Sequence, residues 1–497
     1  MAVWSWRLSV GFCLLLLALE LPVLTTVQPP LIDYPNHLAR MHLITEGGDA
    51  FWRVHWGILP NLAEDGFIWA LAGTVPVETA ARAFLFLTVA INAVGIFMLA
   101  RACVGAFRPW SLLALMFVWS ASLLWGFLNY SFGLGMAFFA AAAWLGLDRR
   151  PAARALVAIP FALAIWFAHI EALAIYAILV VGFEIQPCLA EARASMARKA
   201  VVRAMLVAPQ FVLPAILTLF VWHASATQNW ELSGIGRKPD LIFNAFDNYN
   251  LPLDIFSLVF VFALFAWMLS TRRLNVVGRA GPPLALLFVA FLAAPNHLYT
   301  GGGADHRLPA VFLTLFVAAS APRFRTARET VWISGALAAL VVVRLCVLEY
   351  AWLSAQQTYA QDIAILDLIR PGATVAVAHR VNSIKFSSAP ELHMPLMATV
   401  RRDAFVPTLF AFAEQQPIAP TPRAAALLAG TSESLLWSAF VDRDAQALSE
   451  GRPMLARFDY LVLVGLKPFQ VPAEPSLTLI GETPTFKLFE VRRTGGG

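Results

Sequence analysis

Apolar runs close to twenty residues long alternate with short polar connectors over the first 350 positions. A helix that crosses a bilayer needs roughly 20 mostly apolar residues. Runs near 8–27, 80–103, 110–126, 130–147, 152–168, 170–186, 204–222, 252–270, 281–297, 308–321 and 330–350 meet or approach that length. The pattern predicts eleven transmembrane helices. After Tyr350 the apolar runs shorten and charges rise. Stretches 374–379, 460–464 and 486–491 read as strands, and 362–369 and 423–428 as helices. The expected architecture is an α-helical polytopic membrane protein with a transmembrane domain over 1–350 and a C-terminal soluble α/β domain over 351–497. No internal repeat is visible, which argues against an inverted-repeat transporter.

Composition agrees with a membrane protein: 59% hydrophobic, 13% charged, mean hydropathy +0.68. The first run follows Arg7 and could open a signal peptide. The residues from Pro22 to Val27 offer no small-x-small cleavage site, so an uncleaved first helix is expected. With the N-terminus inside, the inner loops hold Arg101, Arg108, Arg149, Arg150, Arg154, Arg193, Arg198, Lys199, Arg203, Arg272, Arg273, Arg279, Arg323, Arg325 and Arg328. The outer loops hold only Arg40, Arg53, Arg237, Lys238 and Arg307, and this bias selects the orientation. The C-terminal domain then falls on the outer face, periplasmic if the membrane is a bacterial inner membrane. The net charge of +5 comes from these short loops, with no basic stripe among aromatics, so nucleic acid is not an expected partner. Cys13, Cys103, Cys188 and Cys346 lie in apolar spans or inner loops, read as buried or inert thiols with neither disulfide nor zinc spacing.

The polar chemistry concentrates in three outer loops. The first, over 28–77, is too long for a connector. In it Asn36 can cap a short helix that ends at Gly47-Gly48, and a second segment over 61–72 suits an interfacial helix. Asp33 stands beside Tyr34, His37 and Arg40, where a carboxylate could deprotonate an acceptor hydroxyl or amine, or hold a metal that does so. The second loop, over 223–251, carries Trp230 and Arg237-Lys238. The third runs from Pro295 through His297 and a glycine triplet to Asp305-His306-Arg307. Arg307, with His297 or His306, could clamp a phosphate oxygen, a task that suits guanidinium geometry.

Plainer structural readings stand beside these. His169 and Glu171 form an outer turn that faces water or serves the site. Asp33 can be a helix-terminal acid, and Asp305-His306-Arg307 an interfacial anchor. Arg344 is expected to snorkel outward from the last helix, and Glu64-Asp65 to line a solvated helix face. Trp52, Trp56 and Trp230 read as aromatic-belt anchors before sugar-stacking platforms. No Walker, dinucleotide-binding, hydrolase-elbow or zincin pattern occurs.

An acid in a long first outer loop, short inner loops and an arginine in a late outer loop together resemble the GT-C superfamily of integral membrane glycosyltransferases, with its aminoarabinose-transferase and protein-mannosyltransferase branches. Ile32-Asp33-Tyr34-Pro35-x-x-Leu38-Ala39-Arg40 resembles the family's first-loop motif, and Asp305-His306-Arg307-Leu308-Pro309 its late-loop segment. The resemblance implies a polyprenyl-phosphate sugar donor and a glycolipid, polysaccharide or protein acceptor. It implies an inverting transfer with Asp33 as base and Arg307 on the donor phosphate, under a loose first loop that closes over the head-group. Where the family's pattern has a second acid this chain has Tyr34, and no clear Asp-x-Asp occurs, so metal use is left open. A flippase for a lipid-linked sugar would need a polar path across the bilayer, yet the charges gather on one face. A non-catalytic scaffold would leave Asp33 and Arg307 without work.

Overall fold

A computed structural model describes residues 6–105, 108–224, 230–231, 234–298, 301–379, 390–412, 415–465 and 467–492. The chain divides into two compact units. The first holds Met1–Leu24, Ile58–Glu64 and Ala83–Tyr350; the second holds Thr25–Gly57, Asp65–Arg82 and Ala351–Gly497.

The first unit is helical. Among the described residues six helices are long and apolar enough to cross a membrane: Val77–Val104, Leu128–Gly146, Pro151–Ala168, Ile170–Arg193, Leu251–Ser270 and Ala327–Leu366. The pair Ala197–Met205 and Pro209–Val221, bent by 41°, counts as a seventh if it is one span. Of the other predicted spans, the first is the helix Trp6–Thr25, of 20 residues, and two become shorter apolar segments over Pro109–Leu124 and Gly278–Ala293. The run over 110–126 is broken into 3-10 and α pieces, which hydropathy, blind to backbone geometry, does not reveal. The last predicted span extends into a helix of 40 residues, Ala327–Leu366, because no Gly or Pro stands between Tyr350 and Arg370 to stop it earlier.

Small residues let these helices approach. A Cβ on Gly135 would fall 2.7 Å from the backbone N of Asn92, and one on Gly182 would fall 2.6 Å from the Pro283 Cα. At the first crossing Asn92 donates to Ser131 O across the interface at 2.7 Å. Asp148, Glu184, Arg154, Arg203 and Arg279 form an ionic cluster, with Arg203 donating to Asp148 and Glu184 at 2.9 Å each.

Arg344 does not snorkel. It is 4% exposed and donates to Asp254 at 2.9 Å, to Ser257 at 3.1 Å and to Phe246 O at 2.7 Å. A guanidinium that finds an acid and two further acceptors inside the bundle has no reason to reach for the interface. Removing one partner of a buried pair strands the other, so Arg344→Met is expected to cost about 3–5 kcal/mol, read as a lowered thermal midpoint in detergent. Adding Asp254→Asn should recover part of that loss. The cysteines are free, but Cys13 and Cys346 are exposed on their helices rather than buried.

The second unit contains a four-stranded sheet, ordered Leu477–Glu482, Phe486–Val491, Tyr460–Val464, Val375–His379. The last two strands pair in parallel and the other neighbours antiparallel, with a register shift between Leu479 and Gly481. The parallel connection runs through helices Pro422–Leu428, Glu433–Phe440 and Ala445–Leu455, as a crossover between parallel strands requires. A two-stranded ladder pairs Trp52–Val54 with Ile418–Pro420. Trp52 is buried and stacks on Phe405 with centroids 5.9 Å apart, so it serves as core rather than as a belt anchor. Trp56 is exposed and meets Trp69 edge to face. The side chain of Trp230 lies outside the described residues.

Candidate functional site

In the second unit, Asp33 precedes the helix Tyr34–Glu46, whose start is set by Pro35 in its first turn and whose end is set by Gly47 at φ +81°. Asn36 is not the cap that the sequence suggests. It lies inside the helix, its Nδ2 donating to Thr408 O and its Oδ1 accepting from Phe410 N, both at 2.9 Å. Asp33 takes the N-cap position yet makes no side-chain capping bond, and it is 9% exposed. Its Oδ1 lies 3.4 Å from Nε2 of the His393 ring.

The first loop is not loose, because ten residues of this helix are buried. Arg40 donates through Nε to Asp65 at 2.9 Å, and through Nη2 to His37 Nδ1 at 3.2 Å. Asp65 is 0% exposed, so the expected solvated face of Glu64-Asp65 is corrected: Glu64 is also buried, and Asp65 is the counter-charge of Arg40. Burying an arginine requires such a partner. Tyr34 is buried as well.

In the first unit, the helix Ala304–Ala318 opens on Gly303 in the left-handed region at φ +74°, where a glycine costs least. Its first turn carries all three predicted residues. Asp305 is fully buried and accepts from Lys238 at 2.9 Å; Lys238 also donates to Ala294 O at 2.8 Å. Arg307 is bonded to Glu171 and donates to Gly302 O at 3.2 Å. Its guanidinium lies over Phe127 at 4.2 Å and over Tyr130 at 4.8 Å. The structure thus brings together Arg307, Glu171 and, through Tyr130, His169, whose ring meets Tyr130 edge to face at 5.5 Å. His169 Nδ1 accepts from Glu171 N and caps the helix Ile170–Arg193. Neither is a mere polar turn facing water. A cavity of about 10 Å³, the size of one water, lies beside Tyr130 and Arg307 and is lined by Asn92, Ser120, Ser122 and Thr314.

His306 packs on Trp125 at 5.2 Å and its Nδ1 meets Asn244 Nδ2 at 2.9 Å. Burial holds its imidazole below the usual range, helped by Arg237, Arg307 and Lys238 and opposed by Asp305. A folded value below the unfolded one of about 6.5 means that this group's stabilisation is present above that pH and is lost as pH falls through the folded value. The thermal midpoint is therefore expected to drop on acidification below pH ~6.5, and His306→Gln should flatten that drop. At neutral pH His306 offers a ligand an N–H, not a positive charge. His297 falls in the two-residue strand His297–Leu298, and its side chain lies outside the described residues.

Asp33, Tyr34, His37 and Arg40 belong to one unit; His169, Glu171, Asp305, His306 and Arg307 belong to the other. Sequence reasoning missed Lys238 and His393 as site residues. Lys238 was visible as a cation in the outer loops, but nothing local pairs it with Asp305; His393, in a proline-rich stretch, gave no signal. Among the described residues no group of three or more His, Cys, Asp or Glu side chains could hold a metal ion.

No family model and no curated protein matches the chain. Among solved structures, ArnT from Cupriavidus metallidurans in the apo state is 15% identical, with 97% of this chain and 98% of that chain covered and a TM-score of 0.48. ArnT bound to undecaprenyl phosphate is 14% identical over the same shares, at 0.49. The arabinofuranosyltransferase AftD from Mycobacteria is 14% identical over 99% of this chain and 40% of that chain, at 0.52. This chain spans well under half of AftD, and the likeness is one of fold. The chain shares its fold with the matched part of AftD.

Proposed function

We propose that this protein is a membrane glycosyltransferase that moves a sugar from a polyprenyl-phosphate donor to a glycolipid, polysaccharide or protein acceptor. One observation carries the reading: Asp33 stands at a helix N-terminus, nearly buried, without spending its carboxylate on the cap. A purely structural acid at that position would accept from the first turn. As base, Asp33 takes the proton of the acceptor nucleophile while that oxygen or nitrogen bonds the anomeric carbon and the lipid phosphate leaves with inversion. Arg307 stabilises the leaving phosphate. Glu171 and Gly302 occupy two of its five donors, and the aromatic faces of Phe127 and Tyr130 keep the fork in plane. His306 supplies a neutral N–H donor, and His297 is assigned to the same phosphate.

The same reading takes eleven spans in a bacterial inner membrane, with the C-terminal α/β sheet on the periplasmic side. Membrane lipids surround the exposed apolar faces of the long helices. The AftD-like fold supports a transferase over a scaffold, since AftD is itself an arabinofuranosyltransferase. The test is to reconstitute the purified full chain in vesicles with a panel of undecaprenyl-phosphate-linked sugars. Sugar release onto an acceptor, with free undecaprenyl phosphate as co-product, is expected. Movement of intact donor across the bilayer without release would sink the transferase and favour the flippase.

A further inference from the structure

We infer that His393 is a positioning residue for Asp33, an inference that rests on Asp33 being the base. His393 lies in the 3-10 segment Pro390–Leu396, more than 350 residues along the chain from Asp33 but in the same unit. Its Nε2 is 3.4 Å from Asp33 Oδ1, with the two side chains 20% and 13% exposed. That separation is slightly long for a hydrogen bond, as is common for catalytic contacts before substrate binds.

The contact is built rather than incidental. The Phe410 ring meets the His393 ring edge to face at 5.2 Å. The backbone N of that same Phe410 donates to Asn36, three residues after Asp33, and Asn36 donates back to Thr408 O. A single asparagine therefore locks the helix that follows Asp33 to the segment that braces the imidazole. His42 and Asp403, 2.9 Å apart, make a second tie between the same two stretches.

The ring's other nitrogen selects its tautomer. His393 Nδ1 is buried with no hydrogen-bond partner among the described residues. A proton on Nδ1 would bury an unpaired donor and turn the Nε2 lone pair against the carboxylate. A proton on Nε2 avoids both costs. His393 then donates from Nε2 to Oδ1, and this orients the carboxylate so that Oδ2 is left for the acceptor. In the reaction the acceptor oxygen bonds the anomeric carbon and the carbon–phosphate oxygen bond breaks with its electrons on the phosphate. The acceptor proton passes to Oδ2, while the Nε2 proton stays on His393.

The experiment uses the full chain in nanodiscs. With an undecaprenyl-phosphate sugar that wild type consumes, His393→Leu is expected to lower kcat about 10–100-fold with KM for the donor within about twofold. His393→Gln, whose amide N–H replaces Nε2–H, should recover most of the loss. Equal losses in the Leu and Gln variants, or a loss in KM alone, overturn the role. A second arm does not need turnover. In 15N-histidine-labelled protein, the Nε2 resonance missing from His393→Gln is expected to move in Asp33→Asn; an unmoved resonance overturns the contact. If that resonance moves but wild type transfers no sugar from the panel, the transferase reading itself fails and the positioning role fails with it.

Discussion

Replacing Asp33 with Asn is expected to lower sugar transfer by about a thousandfold while leaving the protein folded. General-base catalysis is worth roughly 10²–10⁴ in rate, and an amide of the same shape cannot take the acceptor proton. Stability should scarcely respond, because the Asp33 side chain makes no capping bond whose loss would loosen the helix Tyr34–Glu46. What remains is the His393 contact, which an amide oxygen can still accept, and the favourable interaction of a negative charge with the helix N-terminus, about 0.3–1 kcal/mol. Turnover and thermal unfolding measured on one preparation decide the matter. Retained transfer in Asp33→Asn removes the base assignment, and a collapse of the thermal midpoint makes Asp33 structural instead.

Arg307→Ala is expected to cost both activity and stability, and the two losses can be separated. Arg307 is bonded to Glu171 with side chains 7% and 14% exposed, so deleting the guanidinium leaves a nearly buried carboxylate without its counter-charge. Breaking a pair of this kind costs about 3–5 kcal/mol. The Phe127 and Tyr130 faces lose their cation as well. Neutralising the stranded acid in Arg307→Ala/Glu171→Gln should restore part of the thermal midpoint, because no buried charge is then left alone. Transfer should stay low in the double variant, since the donor phosphate has still lost its bidentate partner. If activity returns together with stability, Arg307 is an internal brace and the phosphate must be held elsewhere.

The residues of the candidate site were legible to different degrees for physical reasons. Asp33 and Arg307 announce themselves because a charge beside an apolar run is expensive and therefore conspicuous. Their partners do not. Glu171 reads as a polar turn until Arg307 is found bonded to it, and Asp65 reads as a solvated acid until Arg40 is found 2.9 Å away. Arg344 misleads for the same reason: its distance in sequence from Tyr350 is local information, whereas Asp254 stands ninety positions earlier. His393 lies in a stretch without periodicity, and only the fold sets it against Asp33.

By itself the sequence determined what depends on composition and short-range period. These are the apolar helices and their breaks at polar loops, the three strands Val375–His379, Tyr460–Val464 and Phe486–Val491, and the C-terminal turn at Gly47. Burial of an apolar face and the left-handed conformation of a glycine are properties of a dozen neighbouring residues at most. Tertiary structure alone decided where the run after Pro109 breaks and which acid neutralises which base. A buried charge is tolerated only where a partner from a distant part of the chain meets it, and that meeting is fixed by packing over the whole unit.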